Sequence, residues 1–175
     1  MPFLYVSSYT IRKAVLSDLN DIFEIRQQAS SRLKEDGVNQ WQGVEPSKET
    51  FLNDIQNQEA FVILDHYKII GMASLCLSKE EAYQTLVDLE IDAITIHRIA
   101  IHHDYLFKGI STYWFDFFET QATIKNITRI YIDTHPHNFR MLSLLKKHHY
   151  RNLGQFEFKH LPSPLRHLFM KTILS

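Results

Sequence analysis

Cysteine, glycine and proline are scarce in this chain, and its charges nearly cancel. It has one cysteine, Cys76, and five glycines and five prolines in 175 residues. A single thiol excludes an internal disulfide framework and any zinc centre built on several thiolates, and it fits a reducing compartment. So few glycines and prolines exclude a collagen-like or low-complexity chain. Lys and Arg number 19 against 20 Asp and Glu, a formal charge of -1 with no basic run, which argues against a dedicated nucleic-acid binder. No apolar stretch approaches the roughly 20 residues needed to cross a bilayer, and Met1 to Val6 lacks both a basic leader and a long apolar segment. The expectation is a cytoplasmic protein with no membrane and no nucleic-acid partner. What is present is ordinary for a folded protein: 45% hydrophobic and 22% charged residues, enough chain for one sizeable core. Residues 1–175 are therefore expected to form a single domain.

Tyr9 to Ala14 alternates like a half-buried strand. Ser17 then stands where a helix cap belongs, ahead of Leu19, Ile22, Phe23, Ile25, Ala29 and Leu33 at helical spacing, with Gly37 marking the end. A second helix is expected from Ser47 through Phe51, Leu52 and Ile55. Phe61–Leu64, a turn at 65–68 and Ile69–Leu77 read as an antiparallel hairpin. An acidic connection follows. Ala93–Ile101 is a strand, Gly109 to about Thr123 a helix, Arg129–Thr134 a strand and Asn138–His148 a helix, and Phe156–Phe158 and Leu168–Ile173 supply two more strands. This order implies a mixed sheet with helices on its faces. The crossover from Ala93 to Thr134 should join parallel strands, with a ligand outside their carboxyl ends. Period-two alternation puts Thr95, His97, Ile99 and Ile101 on one side of their strand and Ile94, Ile96, Arg98 and Ala100 on the other.

The most informative stretch runs from Ile96 to Ser111, where an apolar strand enters a loop and then directly a helix. Amides of such a loop and of the first helical turn have no intrahelical partner, and the helix dipole adds positive character where they point. A diphosphate can be held there without a cationic side chain.

Together with Gln40-Trp41, His97-Arg98-Ile99-Ala100-Ile101, Lys108-Gly109-Ile110 and Asp133-Thr134-His135 followed by Asn138 and Met141, the chain resembles the GNAT superfamily of N-acetyltransferases. The likeness is to its small bacterial members and spans nearly the whole sequence. It implies an α+β fold with a mixed, mostly antiparallel central sheet of six to seven strands flanked by about four helices. Acetyl-CoA is implied as co-substrate, with no metal, and a primary amine of a small molecule or peptide as acceptor. The loop for the diphosphate falls on Leu106, Phe107, Lys108, Gly109, Ile110 and Ser111. Leu106 replaces an Arg or Gln of the family pattern there, and Ser111 replaces a Gly or Ala. An oxyanion donor is implied among the backbone amides of Ile99, Ala100 and Ile101, and Asn138 is placed near the pantetheine arm, although its position equally makes it a helix cap. Leu145 stands where many members carry a Tyr that protonates the departing thiolate. His149-Tyr150 replaces a terminal Gly-Phe, leaving the left-handed turn to Asn152 or Gly154.

Acyl transfer needs an uncharged amine, a held thioester carbonyl and an oxyanion donor. His97 is the leading base, directly or through water, since neutral imidazole accepts a proton near pH 7; Glu90 and Asp92, just upstream, are the rivals. The plainer reading of His97 is a hydrogen-bonded sheet histidine. The acceptor pocket is expected from the first two helices, Gln40-Trp41-Gln42 and the connection from Glu80 to Asp92, whose Glu80, Glu81, Asp88, Glu90 and Asp92 form either an acidic wall or a solvated loop. Trp41 reads as a core or lid anchor. His102, His103, His135 and His137 lack the converging carboxylate company of a metal site, and Cys76, between Leu75 and Leu77, reads as core rather than nucleophile. Tyr113, Trp114, Phe115, Phe117 and Phe118 exceed one helix face, so they serve packing and also a homodimer contact. The alternative to an enzyme is an acyl-CoA-binding regulatory pseudo-enzyme, motivated by Leu106 and Leu145.

Overall fold

The computed structural model describes residues 9–174; Met1 to Val6 lie outside them. Strand β1 (Thr10–Lys13) leads to α1 (Leu19–Glu35), whose buried Ile22, Ile25 and Ala29 recur at helical spacing. The start of α1 differs from expectation. A single turn at Leu16–Asp18 precedes it, and Asp18 rather than Ser17 is the organising residue. Its carboxylate accepts the Val15 amide at 2.8 Å and two bonds from Arg12 at 2.6 and 3.0 Å, which a serine hydroxyl cannot do. Gly37, with φ of 73°, follows the helix end as predicted. Helix α2 (Lys48–Gln56) is capped by Ser47, whose hydroxyl accepts the Thr50 amide at 3.2 Å.

Strands β2 (Ala60–Asp65) and β3 (Lys68–Cys76) form the predicted hairpin, with a turn at His66 and Tyr67. Next come β4 (Ile94–Ile101), α3 (Ile110–Ile124), β5 (Arg129–Thr134) and α4 (Phe139–Lys147). The tail forms β6 (Arg151–Glu157) and β7 (Leu165–Thr172). Most of β6 escaped the sequence reading because it is an edge strand, largely exposed and interrupted by Gly154, so no apolar alternation marks it. The left-handed residue after α4 is His149 itself, at φ of 63°, and not Asn152 or Gly154; the following Tyr150 amide closes onto the Leu145 carbonyl at 2.9 Å.

The seven strands lie in the order β1-β2-β3-β4-β5-β7-β6, antiparallel except for the parallel pair β4 and β5. On one face Ile94, Ile96, Ile130 and Ile132 pack against Trp114, Phe115 and Phe118 of α3 and Leu145 of α4. On the other, Val62, Met72 and Ala100 meet Ile22 and Ile25 of α1 and Phe51 of α2. The aromatic run of α3 is thus mostly core: Trp114, Phe115 and Phe118 are fully buried, and Tyr113 is the exposed member.

The expected alternation of β4 is interrupted. Ser74 pairs with His97 but Met72 pairs with Ala100, so Arg98 and Ile99 together oppose Ala73 in a bulge. Arg98 takes the extra step with φ of 54°. The phase resets, so Ile94, Ile96, Ile99 and Ile101 all pack on the α3 side, whereas Ala100 packs on the α1 side. Ile99 and Ile101 therefore do not share a face with His97. A left-handed arginine costs about 1 kcal/mol, and the side chain is held firmly in return: Asp54 of α2 accepts two bonds from it at 2.5 and 2.7 Å and a third from Ser74 at 2.6 Å.

Candidate active site

Strands β4 and β5 share three residue pairs, from Ile94 with Ile130 to Ile96 with Ile132, and then part. Beyond that seam a cleft of about 900 Å³ opens at their carboxyl ends, where a crossover sheet is expected to offer its ligand site. Ala29 and Arg32 of α1, the Gln40–Pro46 segment, Met141 and Leu144 of α4 and the connection between β6 and β7 close around it.

One half of this cleft is main chain. The His102 amide donates to the Ile70 carbonyl at 2.8 Å and Ala100 lies in register with Met72, so both face β3. By strand alternation the amides of Ile99 and Ile101 face the opposite way, into the cleft; the Ile101 carbonyl on that edge accepts Arg32 at 3.4 Å. At the far end, two left-handed residues, Phe107 at φ of 60° and Gly109 at 76°, turn the chain so that α3 begins at Ile110. In the first turn of α3 the Thr112 amide donates to the Gly109 carbonyl at 3.0 Å, whereas the amides of Ile110 and Ser111 come too early for an intrahelical acceptor, and Leu106 and Ser111 line the cleft beside them. Phe107 is 93% exposed, and the Lys108 ammonium sits 4.8 Å from the Tyr105 ring. Asn138 caps α4 by accepting the Met141 amide at 3.2 Å, and its own amide donates to Gln40 at 3.2 Å. Thr134, at the end of β5, has a buried hydroxyl with no partner among the described residues, in the cleft wall. Free strand amides, an unpaired hydroxyl, the apolar Met141 and Leu144 and an anion-attracting helix start together fit an extended ligand with a phosphorylated end.

The other half is side chains. His97 Nδ1 lies 3.9 Å from Asp133 on the neighbouring strand. Tyr83, from the single helical turn Glu81–Tyr83, donates its hydroxyl to the same carboxylate at 2.5 Å, and Arg166 of β7 approaches its other oxygen at 3.8 Å. Burial, with the Arg98 charge adding to it, pushes the His97 pKa down to about 3, so the ring is neutral at pH 7. Burial also pushes Asp133 up to about 6, against the stabilising Tyr83 bond and Arg166 charge. The Tyr83 hydroxyl is driven well above its ordinary range, first by burial and then by Asp133.

Of the residues singled out in the sequence, Ile99, Ala100, Ile101, Leu106, Ser111, Asn138 and His97 line the cleft, as do Gln40, Trp41 and Gln42. Between Leu106 and Ser111, however, Phe107, Lys108 and Gly109 do not line it and Ile110 is buried in the core, and Glu90 and Asp92 do not reach it either. Glu90 is exposed and paired with Lys79 at 3.3 Å, and Asp92 lines a separate recess of about 20 Å³. Of the acidic connection only Glu80 reaches the cleft, while Glu81, Asp88 and Glu90 are solvent-exposed. Leu145 is fully buried in the core, so the position of the implied acid is an apolar contact. Cys76 borders the cleft but is buried, and that burial pushes its thiol up to about 12, far from a thiolate at neutral pH. His102, His103 and Asp104 bring ligand-capable atoms within 4.8 Å of one another, but the Lys68 ammonium already lies 3.5 Å from Asp104. Asp133, Tyr83 and Arg166 were missed. A trace of Asp133 was there to read, since a lone acid at the end of the apolar Ile130-Tyr131-Ile132 shares the face of Tyr131 rather than that of the isoleucines.

The model of the acetyltransferase (GNAT) family matches residues 19–150, and the chain belongs to that family. It is an acetyltransferase, and enzymes of this family take their acetyl group from acetyl-CoA. Among solved structures it is similar to a GNAT-family acetyltransferase from Streptococcus agalactiae 2603, with 24% identity and a TM-score of 0.79 over 98% of this chain and 99% of that one. Salmonella typhimurium yncA, solved with its cofactor acetyl-CoA, has 13% identity and a TM-score of 0.70 over 97% and 96% of the two chains. Arabidopsis thaliana NAA60, solved with a bisubstrate analogue, has 18% identity and a TM-score of 0.68 over 94% and 98%. At such identities the likeness is one of fold. No curated protein sequence matches the chain.

Proposed function

We propose that the protein moves acetyl from acetyl-CoA to the uncharged primary amine of a small molecule or peptide, by direct attack in the cleft between β4 and β5. The observation that carries this reading is the parting of those strands, which leaves the Ile99 and Ile101 amides unpaired beside the opening of α3. The co-substrate supplies a thioester whose carbonyl carbon the amine nitrogen attacks. The C–S bond breaks, the sulfur leaves with the electron pair as thiolate, and the amine gives up one proton, which in the overall balance converts the thiolate to the thiol. Backbone amides at Ile99 to Ile101 hold the carbonyl oxygen as it gains charge. Leu106 to Ser111 hold the phosphates, and Asn138 and Thr134 face the pantetheine arm.

His97 and Asp133 divide the proton work. Neutral His97 accepts a hydrogen bond from the amine, or from a water between them, but its depressed basicity makes it a poor final holder of the proton. Asp133, 3.9 Å away, is ionised at pH 7 and far more basic than a solvated aspartate, so it is the better final acceptor. A thiol is a good leaving group, so the apolar Leu145 removes no required acid. The lone free, buried Cys76 suits a reducing cytoplasm, and no helix of the described residues is long and apolar enough to cross a membrane.

Calorimetry with acetyl-CoA, followed by thiol release with polyamines, amino acids, aminoglycosides and peptide N-termini, tests the reading. Micromolar binding and acceptor-dependent release are expected. Binding without release from any amine would favour a regulatory acyl-CoA binder. No binding would refute the assignment of the cleft. Turnover unchanged in His97→Ala would remove His97 from the proton path.

A further inference from the structure

The loop before α3 has lost the side chain that the family pattern places at Leu106, yet the mouth of the cleft is not short of positive charge. Arg32 near the end of α1 and Arg140 in the first turn of α4 both line it, together with Leu106 and Ser111. Arg140 sits 6.0 Å from the ring of Phe107, inside the loop itself. Asp36, just past α1, accepts two bonds from Arg140 at 2.6 and 3.0 Å, and Arg140 is close enough to Arg32 that its charge is felt there. Glu35 is the remaining acid that both arginines feel, and it is solvent-exposed. Desolvation and the Arg140 charge hold the Arg32 guanidinium below its ordinary range, whereas the Asp36 bond holds Arg140 above it. One cation is thus half-desolvated with a backbone carbonyl for a partner, and the other is borrowed by an exposed aspartate across 104 residues of chain.

We propose that Arg140, with Arg32 beside it, is the cation that receives the phosphates of the co-substrate's nucleotide end, exchanging Asp36 for them and replacing the side chain missing at Leu106. This rests on the reading of the cleft as an acetyl-CoA site. The chemistry favours exchange. A guanidinium fork matches two phosphate oxygens as well as it matches a carboxylate. An exposed ion pair is worth little, typically about 0 to 1 kcal/mol, whereas a phosphate docked against unpaired amides and a second arginine offers several charge-assisted bonds. Asp36 therefore competes with the ligand.

The test compares acetyl-CoA, acetyl-dephospho-CoA and acetyl-pantetheine as probes, by calorimetry on the full chain. Arg140→Gln should raise the Kd for acetyl-CoA about tenfold, as expected for one lost charge-assisted contact, and flatten its salt dependence, while leaving acetyl-pantetheine unchanged. Asp36→Asn should tighten acetyl-CoA about two- to threefold, because it removes the competing anion without disturbing the arginine. Acetyl-dephospho-CoA places the contact: an undiminished Arg140 effect assigns it to the diphosphate, and a lost effect assigns it to the 3′-phosphate. An Arg140→Gln effect of equal size on acetyl-pantetheine, no effect on acetyl-CoA, or weaker binding in Asp36→Asn would overturn the inference while leaving the cleft assignment intact. Failure of the wild-type chain to bind acetyl-CoA would sink both. Thermal melts of the two variants, both changed at exposed positions, verify that each is folded.

Discussion

The two walls of the cleft are made by different means. The wall assigned above to the co-substrate is mostly backbone, drawn from one continuous run of chain, the edge of β4 through the loop into α3. The wall assigned above to the acceptor is assembled from side chains of three strands, His97 on β4, Asp133 on β5 and Arg166 on β7, with the buried Tyr83 holding the Asp133 carboxylate from behind. Backbone groups are indifferent to most substitutions, so a site built on them tolerates Leu106 and Ser111. A constellation of side chains is not indifferent, because each partner sets the charge state of the next. The first wall can drift in sequence and keep its ligand, and the second fixes chemistry residue by residue.

The sharpest way to break that comparison is to alter the centre of the side-chain wall. Asp133→Asn should lower kcat by about 10² to 10³-fold, the usual size of a lost proton acceptor, with KM for acetyl-CoA nearly unchanged. The wild-type rate should also show an acid limb, because the carboxylate must be ionised to accept the proton. With Asp133 at about 6, activity falls as pH drops through that value, and the Asn variant should lose the limb along with the rate. A structural role alone would lower activity without erasing the pH dependence.

Arg98→Ala tests whether the bulge is held by its ion pair. It leaves Asp54 buried with only Ser74 as partner, and because Arg98 is part-exposed the expected loss is about 2 to 3 kcal/mol, below the full figure for a buried pair, read by urea denaturation. The smallest effect is reserved for the backbone wall. Gly109→Ala introduces a Cβ where φ is 76° but no atom lies within 4 Å of it, so the cost is conformational only, about 1 kcal/mol of stability. Acetyl-CoA affinity should weaken by no more than a few-fold and kcat should hold. A large loss of kcat in Gly109→Ala, or a small one in Asp133→Asn, would erase the distinction between the walls.

What could be read in the sequence followed the same division. The strand-loop-helix at Ile96 to Ser111 is contiguous, so its apolar run and Gly109 announce the geometry locally. Helices α2, α3 and α4 and the hairpin were legible for the same reason, their patterns being complete within a dozen residues. Side-chain placement in β4 was not, because a bulge is a relation between two strands: nothing in His97-Arg98-Ile99 alone says that Ala73 will face two residues at once. Asp133 and Tyr83 lie 50 residues apart, and only the packed sheet joins them. Glu90 and Asp92 attracted notice through charge and nearness in sequence to His97, but the chain turns them to solvent before β4 begins.

The short seam between β4 and β5 has a further outcome. A sheet normally presents unpaired amides and carbonyls only at its two rims, where any other chain can add to them. Here the parting creates two more such rims in the middle of the molecule, recessed beneath α1 and α4. A slender molecule threaded lengthwise can reach them, while a second polypeptide sheet is too broad. The fold thus keeps hydrogen-bonding capacity in reserve for its ligand without exposing it to self-association.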